Sequence, residues 1–199
     1  MSLPKVAIII GTTREGRFAD KPAAWIKALA DARKDATYEL VDLRDFPLPL
    51  FDEPASPAWA TPKNDTARAW GEKIASFDGY IFITAEYNHS ISGALKNALD
   101  YAYAEFNRKP AAFVGYGGVG GARAVQQLRQ IAVELQIAPL RNAVHVGLQE
   151  FVSIGKGEKD FADYPYLGDA ATKMLDDLGW WTGALKAARD SRIDAIAAE

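Results

Sequence analysis

Short apolar runs alternate along the chain with longer stretches whose apolar residues recur at helical spacing. Residues 6–10, Val-Ala-Ile-Ile-Ile, form an unbroken run that suits a strand buried on both faces. A helix is predicted over about 18–33, with Ala19, Ala23, Ile26 and Leu29 on one side and Pro22 tolerated in its first turn. Residues 38–43 alternate apolar and polar, as an edge strand does. Residues 46–62 hold five prolines and predict a long ordered loop. Ala67, Trp70, Ile74 and Phe77 mark the next helix, and residues 80–84 the third strand. Ile91, Leu95, Leu99 and Ala102 mark another helix, then residues 111–114 the fourth strand. Val125, Leu128, Ala132 and Leu135 follow, and a fifth strand covers residues 143–146. Residues 147–165 predict a second long loop, turn-rich around Gly155-Lys156-Gly157. A last helix carries Ala171, Leu175, Leu178, Leu185 and Ala188 on one stripe, and Gly179 within it implies a packing reason.

Five strands with helices between them predict a three-layer α/β sandwich with a parallel sheet and helices on both faces. Five strands rather than six favour the flavodoxin-like order 2-1-3-4-5 over the dinucleotide-type order. A ligand then sits beyond the carboxyl ends of the strands, where the order reverses, and the loops after strands one, three and four should converge there. The whole chain, residues 1–199, is expected to be one domain with a C-terminal helix.

Composition narrows the chemistry. Charged residues make up 25% and the net charge is −3, which advertises neither nucleic acid nor an anionic membrane as partner. With no cysteine, thiol redox chemistry and iron–sulfur clusters drop out, and His89 and His145 alone offer little for a metal site. The N-terminus has no signal-peptide layout and no 18-residue apolar stretch occurs, so a cytoplasmic protein is expected.

Three loops hold the candidate chemistry. Gly11-Thr12-Thr13-Arg14-Glu15-Gly16-Arg17-Phe18 offers helix-terminal N–H groups, two hydroxyls and two guanidinium forks, a cradle for a phosphate. Arg17 stands where a nucleoside-triphosphate loop needs Lys, and Phe18 where it needs a magnesium-binding hydroxyl. The plain alternative is a glycine-punctuated turn with surface arginines. Ala85-Glu86-Tyr87-Asn88-His89-Ser90-Ile91-Ser92-Gly93 leaves strand three; it can line a flat heteroaromatic ring, or serve only as packing and helix cap. Gly115-Tyr116-Gly117-Gly118-Val119-Gly120-Gly121 implies close backbone approach or repeated positive φ. It spells a Gly-x-Gly-x-x-Gly, but after strand four and without the acidic residue of a dinucleotide fingerprint. Trp180 and Trp181 read as core or subunit contact and His145 as a structural histidine, while His89, within the second loop, is a candidate substrate contact.

Taken together, Glu86-Tyr87-Asn88-His89-Ser90, Gly93-Ala94-Leu95-Lys96-Asn97-Ala98-Leu99-Asp100-Tyr101, Lys109-Pro110-Ala111 and Gly121-Ala122-Arg123-Ala124-Val125 resemble the NADPH-dependent FMN reductase family, which includes quinone, azo-dye and chromate reductases. The resemblance implies FMN as cofactor and NAD(P)H as co-substrate. It further implies hydride passage through flavin N5 to a small acceptor such as a quinone, azo compound, chromate or free flavin, with no side chain as catalyst. It places Thr12, Arg14, Arg17 and Phe18 around the FMN phosphate. Glu86, Tyr87 and Asn88 would lie along the ring, Tyr116, Gly117 and Gly118 at its other edge, and a homodimer or homotetramer would form. A flavodoxin-type electron carrier and a non-catalytic flavin-binding regulatory module are the alternatives. Ala85 and Ser92 replace prolines usual in the family, and Gly115 a common serine; a less rigid ring loop with weaker FMN retention, or a shifted substrate preference, is expected from the lost prolines.

Overall fold

The computed structural model describes residues 3–197, with side chains to Ser191. Its strands are β1 (Lys5–Ile10), β2 (Thr37–Asp42), β3 (Gly79–Ala85), β4 (Pro110–Tyr116) and β5 (Ala138–Val146). Its α-helices are α1 (Asp20–Asp31), α2 (Asp65–Ala75), α3 (Gly93–Asp100), α4 (Ala122–Glu134), α5 (Leu148–Lys156) and α6 (Pro165–Ala197). The strands form one sheet in the order β2-β1-β3-β4-β5, every neighbouring pair parallel. The flavodoxin-like order expected from the sequence is the order found.

Strand alternation splits the apolar residues between two cores. Val6, Ile8, Ile10, Ile81, Ile83 and Val114 face α1 and α6, where Ile26, Leu175 and Leu178 meet them. Ala7, Ile9, Tyr80, Phe82 and Phe113 face the other side, against Trp70 and Ile74 of α2, Leu95 and Leu99 of α3, and Leu128 of α4. Burial on both faces explains why β1, β3 and β4 read as continuous apolar runs. β5 is longer than its apolar run, reaching back to Ala138 through Pro139, which an edge strand tolerates.

Residues 147–165 are not the loop expected. They contain α5 and a short 3₁₀ turn, Phe161–Asp163, capped by the Asp160 side chain. The glycines that suggested a turn are the end of a helix. Gly157 takes the left-handed conformation (φ +75°), Glu158 N–H donates to the Ser153 carbonyl and Gly157 N–H to that of Ile154, a Schellman ending. In α6, Ala171, Leu175 and Leu178 are buried as expected, but Ala188 is exposed. Gly179 has its packing reason, since a Cβ there would lie 3.2 Å from a carboxylate oxygen of Asp35. Trp180 and Trp181 are exposed, so neither is core.

Candidate functional site

Because β1, β3 and β4 are neighbours, the chain segments leaving their carboxyl ends lie side by side. Gly11 N–H donates to the Ile83 carbonyl (2.9 Å), carrying β1's pairing one residue past its end. A Cβ on Gly11 would fall 2.8 Å from that oxygen and 2.9 Å from the Leu95 side chain, so only glycine lets the loop pass. Ser92 ties the same point down: its hydroxyl donates to the Gly11 carbonyl and accepts from Leu95 N–H as the cap of α3. The residue that replaces a family proline therefore ties the β1–α1 loop to the start of α3 by hydrogen bonds.

Beyond Gly11 the candidate phosphate ligands Thr12, Arg14 and Arg17 part company. Thr12 is fully buried, and its hydroxyl is a buried polar atom without a hydrogen-bond partner among the described residues. Arg17 is buried too. Its five N–H bonds go to Asp20 twice, to both oxygens of Asp42 and to the Thr12 carbonyl. The Asp42 bond, with Asp20 in support, raises its already high pKa. No donor is left for a phosphate, so Arg17 braces the loop where the sequence suggested a phosphate contact. Arg14 makes no ion pair among the described residues and faces an open cleft, with Lys21 beside it. Arg44, from the turn after β2, donates to the carbonyls of Thr13 and Arg14.

The β3–α3 loop opens with a tight hairpin. Tyr87 and Ser90 exchange backbone hydrogen bonds (2.9 and 3.0 Å), and Asn88 and His89 between them both have positive φ, +50° and +70°. That is a type I′ turn, which suits Asn and is held at both ends. Glu86 before it has a side chain only 4% exposed, held by the backbone N–H and the guanidinium of Arg123. Arg123 also reaches His89 Nε2 at 2.8 Å. A guanidinium only donates, so Nε2 is assigned as acceptor and the ring proton to Nδ1. Asn88 and His89 lie outside the lining of the cleft. His89 instead borders, with Arg123, Gln126 and Gln127, a separate hollow of about 330 Å³.

The β4–α4 loop closes the third side. Glu86 N–H donates to the Tyr116 carbonyl and Gly117 N–H to that of Val146. Gly121 has φ +67°, and a Cβ there would sit 2.5 Å from Tyr116 N, so the glycines fold the loop on itself as well as toward a ligand. Tyr116 packs its ring 5.1 Å from Phe18 and 5.9 Å from Phe151 of α5, centroid to centroid. Burial pushes its phenol up to about 12. The phenol feels the Thr12 hydroxyl, but no hydrogen bond of ordinary geometry joins them.

These segments enclose a cleft of about 430 Å³, within the range of cofactor sites. Of the candidate residues, Arg14, Arg17, Phe18, Glu86, Tyr87, Tyr116 and Gly117 line it; Thr12, Asn88 and Gly118 do not. Lys21, Phe151 and Gly155 line it and were missed. Lys21 could have been found, one helical turn beyond Arg17. Phe151 and Gly155 lay in the segment read as a loop. No group of three or more His, Cys, Asp or Glu able to hold a metal occurs among the described residues, and no described helix is long and apolar enough to cross a membrane.

Residues 4–150 match the model of a protein family described as NADPH-dependent FMN reductase. An NAD(P)H-dependent FMN reductase of Schizosaccharomyces pombe is 38% identical over 145 residues, 71% of this chain and 72% of that one. A 2-hydroxy-1,4-benzoquinone reductase of a Burkholderia species is 33% identical over 140 residues, 67% of this chain and 72% of the relative. Among solved structures, a flavoenzyme NAD(P)H:(acceptor) oxidoreductase of Paracoccus denitrificans superposes with a TM-score of 0.60 at 22% identity, covering 88% of this chain and 98% of that one, a likeness of fold.

Proposed function

The chain belongs to the NADPH-dependent FMN reductase family, and from that membership we propose that its three-loop cleft binds FMN and serves an NAD(P)H-dependent reduction of a small quinone. The quinone is preferred over azo compounds, chromate and free flavin because a relative at 33% identity is a benzoquinone reductase. The observation that carries the FMN assignment is the buried Thr12 hydroxyl without a partner, set in a glycine-punctuated loop beside two cations that face the cleft. A buried hydroxyl is normally satisfied, and a ligand oxygen would satisfy this one.

The residues present fit the group. Arg14 and Lys21, which line the cleft, would hold its phosphate, and Glu86, Tyr87 and Gly117 would border its ring; the Thr12 hydroxyl, outside that lining, would join them only with a shift of its loop on binding. FMN, when bound, supplies the two-electron chemistry between nicotinamide and acceptor. The chain's own work is placement and exclusion of water. Phe18, Tyr116 and Phe151 make a dry aromatic side to the cleft. Tyr116 keeps its proton at any neutral pH, so its hydroxyl donates hydrogen bonds and takes no part as a base. Arg123 holds Glu86 with its carboxylate turned onto α4, which leaves that loop's backbone in a fixed position. The proposal includes a homodimer or homotetramer acting in the cytoplasm.

Protein mixed with FMN and desalted should keep a flavin absorption spectrum, and NADPH should bleach it in the absence of acceptor. Arg14→Ala should weaken FMN binding about tenfold, the worth of one charge-assisted hydrogen bond. A colourless protein after desalting, with no NADPH oxidation in the presence of a benzoquinone, would sink the reading.

A further inference from the structure

A second cleft, of about 370 Å³, lies on the other side of the β1–α1 loop. Leu43, Phe46, Pro47 and Leu48 line one side and Ala94 and Ala98 of α3 another, with Thr13 and Arg44 at its polar end. Nothing in the FMN assignment uses it. Its walls are fixed: Asn97 accepts from Phe51 N–H and donates to the Pro49 carbonyl, pinning the proline-rich segment onto α3, and Phe46 packs edge-on against buried Trp70.

Arg44 is the charged group of this cleft, and it is not neutralised. Among the described residues no carboxylate comes within 4 Å of its guanidinium. Nε and Nη2 are spent on the backbone carbonyls of Thr13 and Arg14, while the remaining N–H groups have no partner. Asp42, two residues away, is occupied by the Arg17 side chain and by Arg44's own backbone N–H. An apolar, partly aromatic slot ending in an unpaired guanidinium suits a planar ring that carries a phosphate. Thr13 lines this cleft and Arg14 the other, so adjacent residues form a shared wall.

We propose that this second cleft receives the adenosine end of NADPH, with the Arg44 guanidinium recognising its 2′-phosphate. The inference rests on the reductase reading, since a dinucleotide whose nicotinamide reaches the flavin cleft has a second aromatic end to place. It assigns coenzyme preference to one residue that touches only the phosphate absent from NADH.

Calorimetric titration of the FMN-loaded protein with 2′,5′-ADP and with 5′-ADP tests it, because bound FMN removes Arg14 and Lys21 as competing phosphate sites. 2′,5′-ADP should bind about tenfold tighter or more, the effect of one charge-assisted hydrogen bond, and Arg44→Gln should bring the two probes level. The ratio of kcat/KM for NADPH to that for NADH should fall by the same factor, a ratio in which any change in FMN loading cancels. Equal binding of the two probes to the unaltered protein, or undiminished discrimination in Arg44→Gln, would overturn the proposal. Failure to oxidise either coenzyme would overturn the reductase reading instead, and the probe comparison would still report on the cleft.

Discussion

Thr12 and Arg17 sit five positions apart in one loop, and their environments assign them opposite tasks. The Thr12 hydroxyl is buried and unpaired, which costs stability in the free protein; on the proposed reading, a ligand oxygen that accepts its proton would recover that cost. Thr12→Val keeps the shape and removes the unpaired group. The flavin-free protein should gain up to about 1 kcal/mol of stability, read by chemical denaturation, while FMN affinity falls several-fold. A variant that loses both, or neither, would contradict a ligand-facing role. For Arg17 the logic inverts. Asp42's carboxyl is raised by burial, but its bonds to Arg17 and Arg44 pull harder and set it below the ordinary carboxylate range. Its contribution to stability is therefore complete above that range and disappears as pH falls through its lowered value. Asp42→Asn should cost about 3 kcal/mol at pH 7, the scale of a broken buried ion pair, and should flatten the loss of thermal midpoint on acidification below pH 4. An acid limb as steep as the unaltered protein's would show that the pair is not what titrates.

At the scale of elements, the three central strands were legible because burial on both faces leaves no polar alternation to confuse them, and Gly11 and Ser92 stood where loop and cap were expected. The convergence of three loops followed from strand order alone. What could not be read was anything that depends on a partner distant in sequence. Arg17 looked like a phosphate ligand because Asp42 is 25 residues away and comes beside it only when β2 pairs with β1. That His89 lies outside the cleft could not be read, because the type I′ turn that sends it toward Arg123 is invisible without φ values. α5 was lost to its own stop signal: its last two residues and its cap, Gly155-Lys156-Gly157, mimic a turn, and with α5 went Phe151.

In the whole molecule the cleft occupies one end of the sheet and the ion pairs of α6 the other. Arg189 pairs with Asp78, just before β3, at 2.7 Å and donates to the Arg108 carbonyl, while Lys186 adds a weaker contact to the same carboxylate. α6 is thus bound to the sheet along its length, through Leu167 and Leu175 near its start and Arg189 near the end of the described side chains. We propose that residues 1–199 behave as one domain, and the flavin-free protein should melt in a single calorimetric transition whose van't Hoff and measured enthalpies agree. Two resolved transitions would separate α6 or α5 from the rest. The outer wall of the cleft is built differently from the sheet it adjoins: in α5 only Ile154 is buried, and Phe151 merely leans on Phe18 and Tyr116. A nine-residue segment so lightly anchored frays long before any strand separates. Amide exchange should then be faster in α5 than in β1, β3 or β4, and a ligand in the cleft should slow it there first.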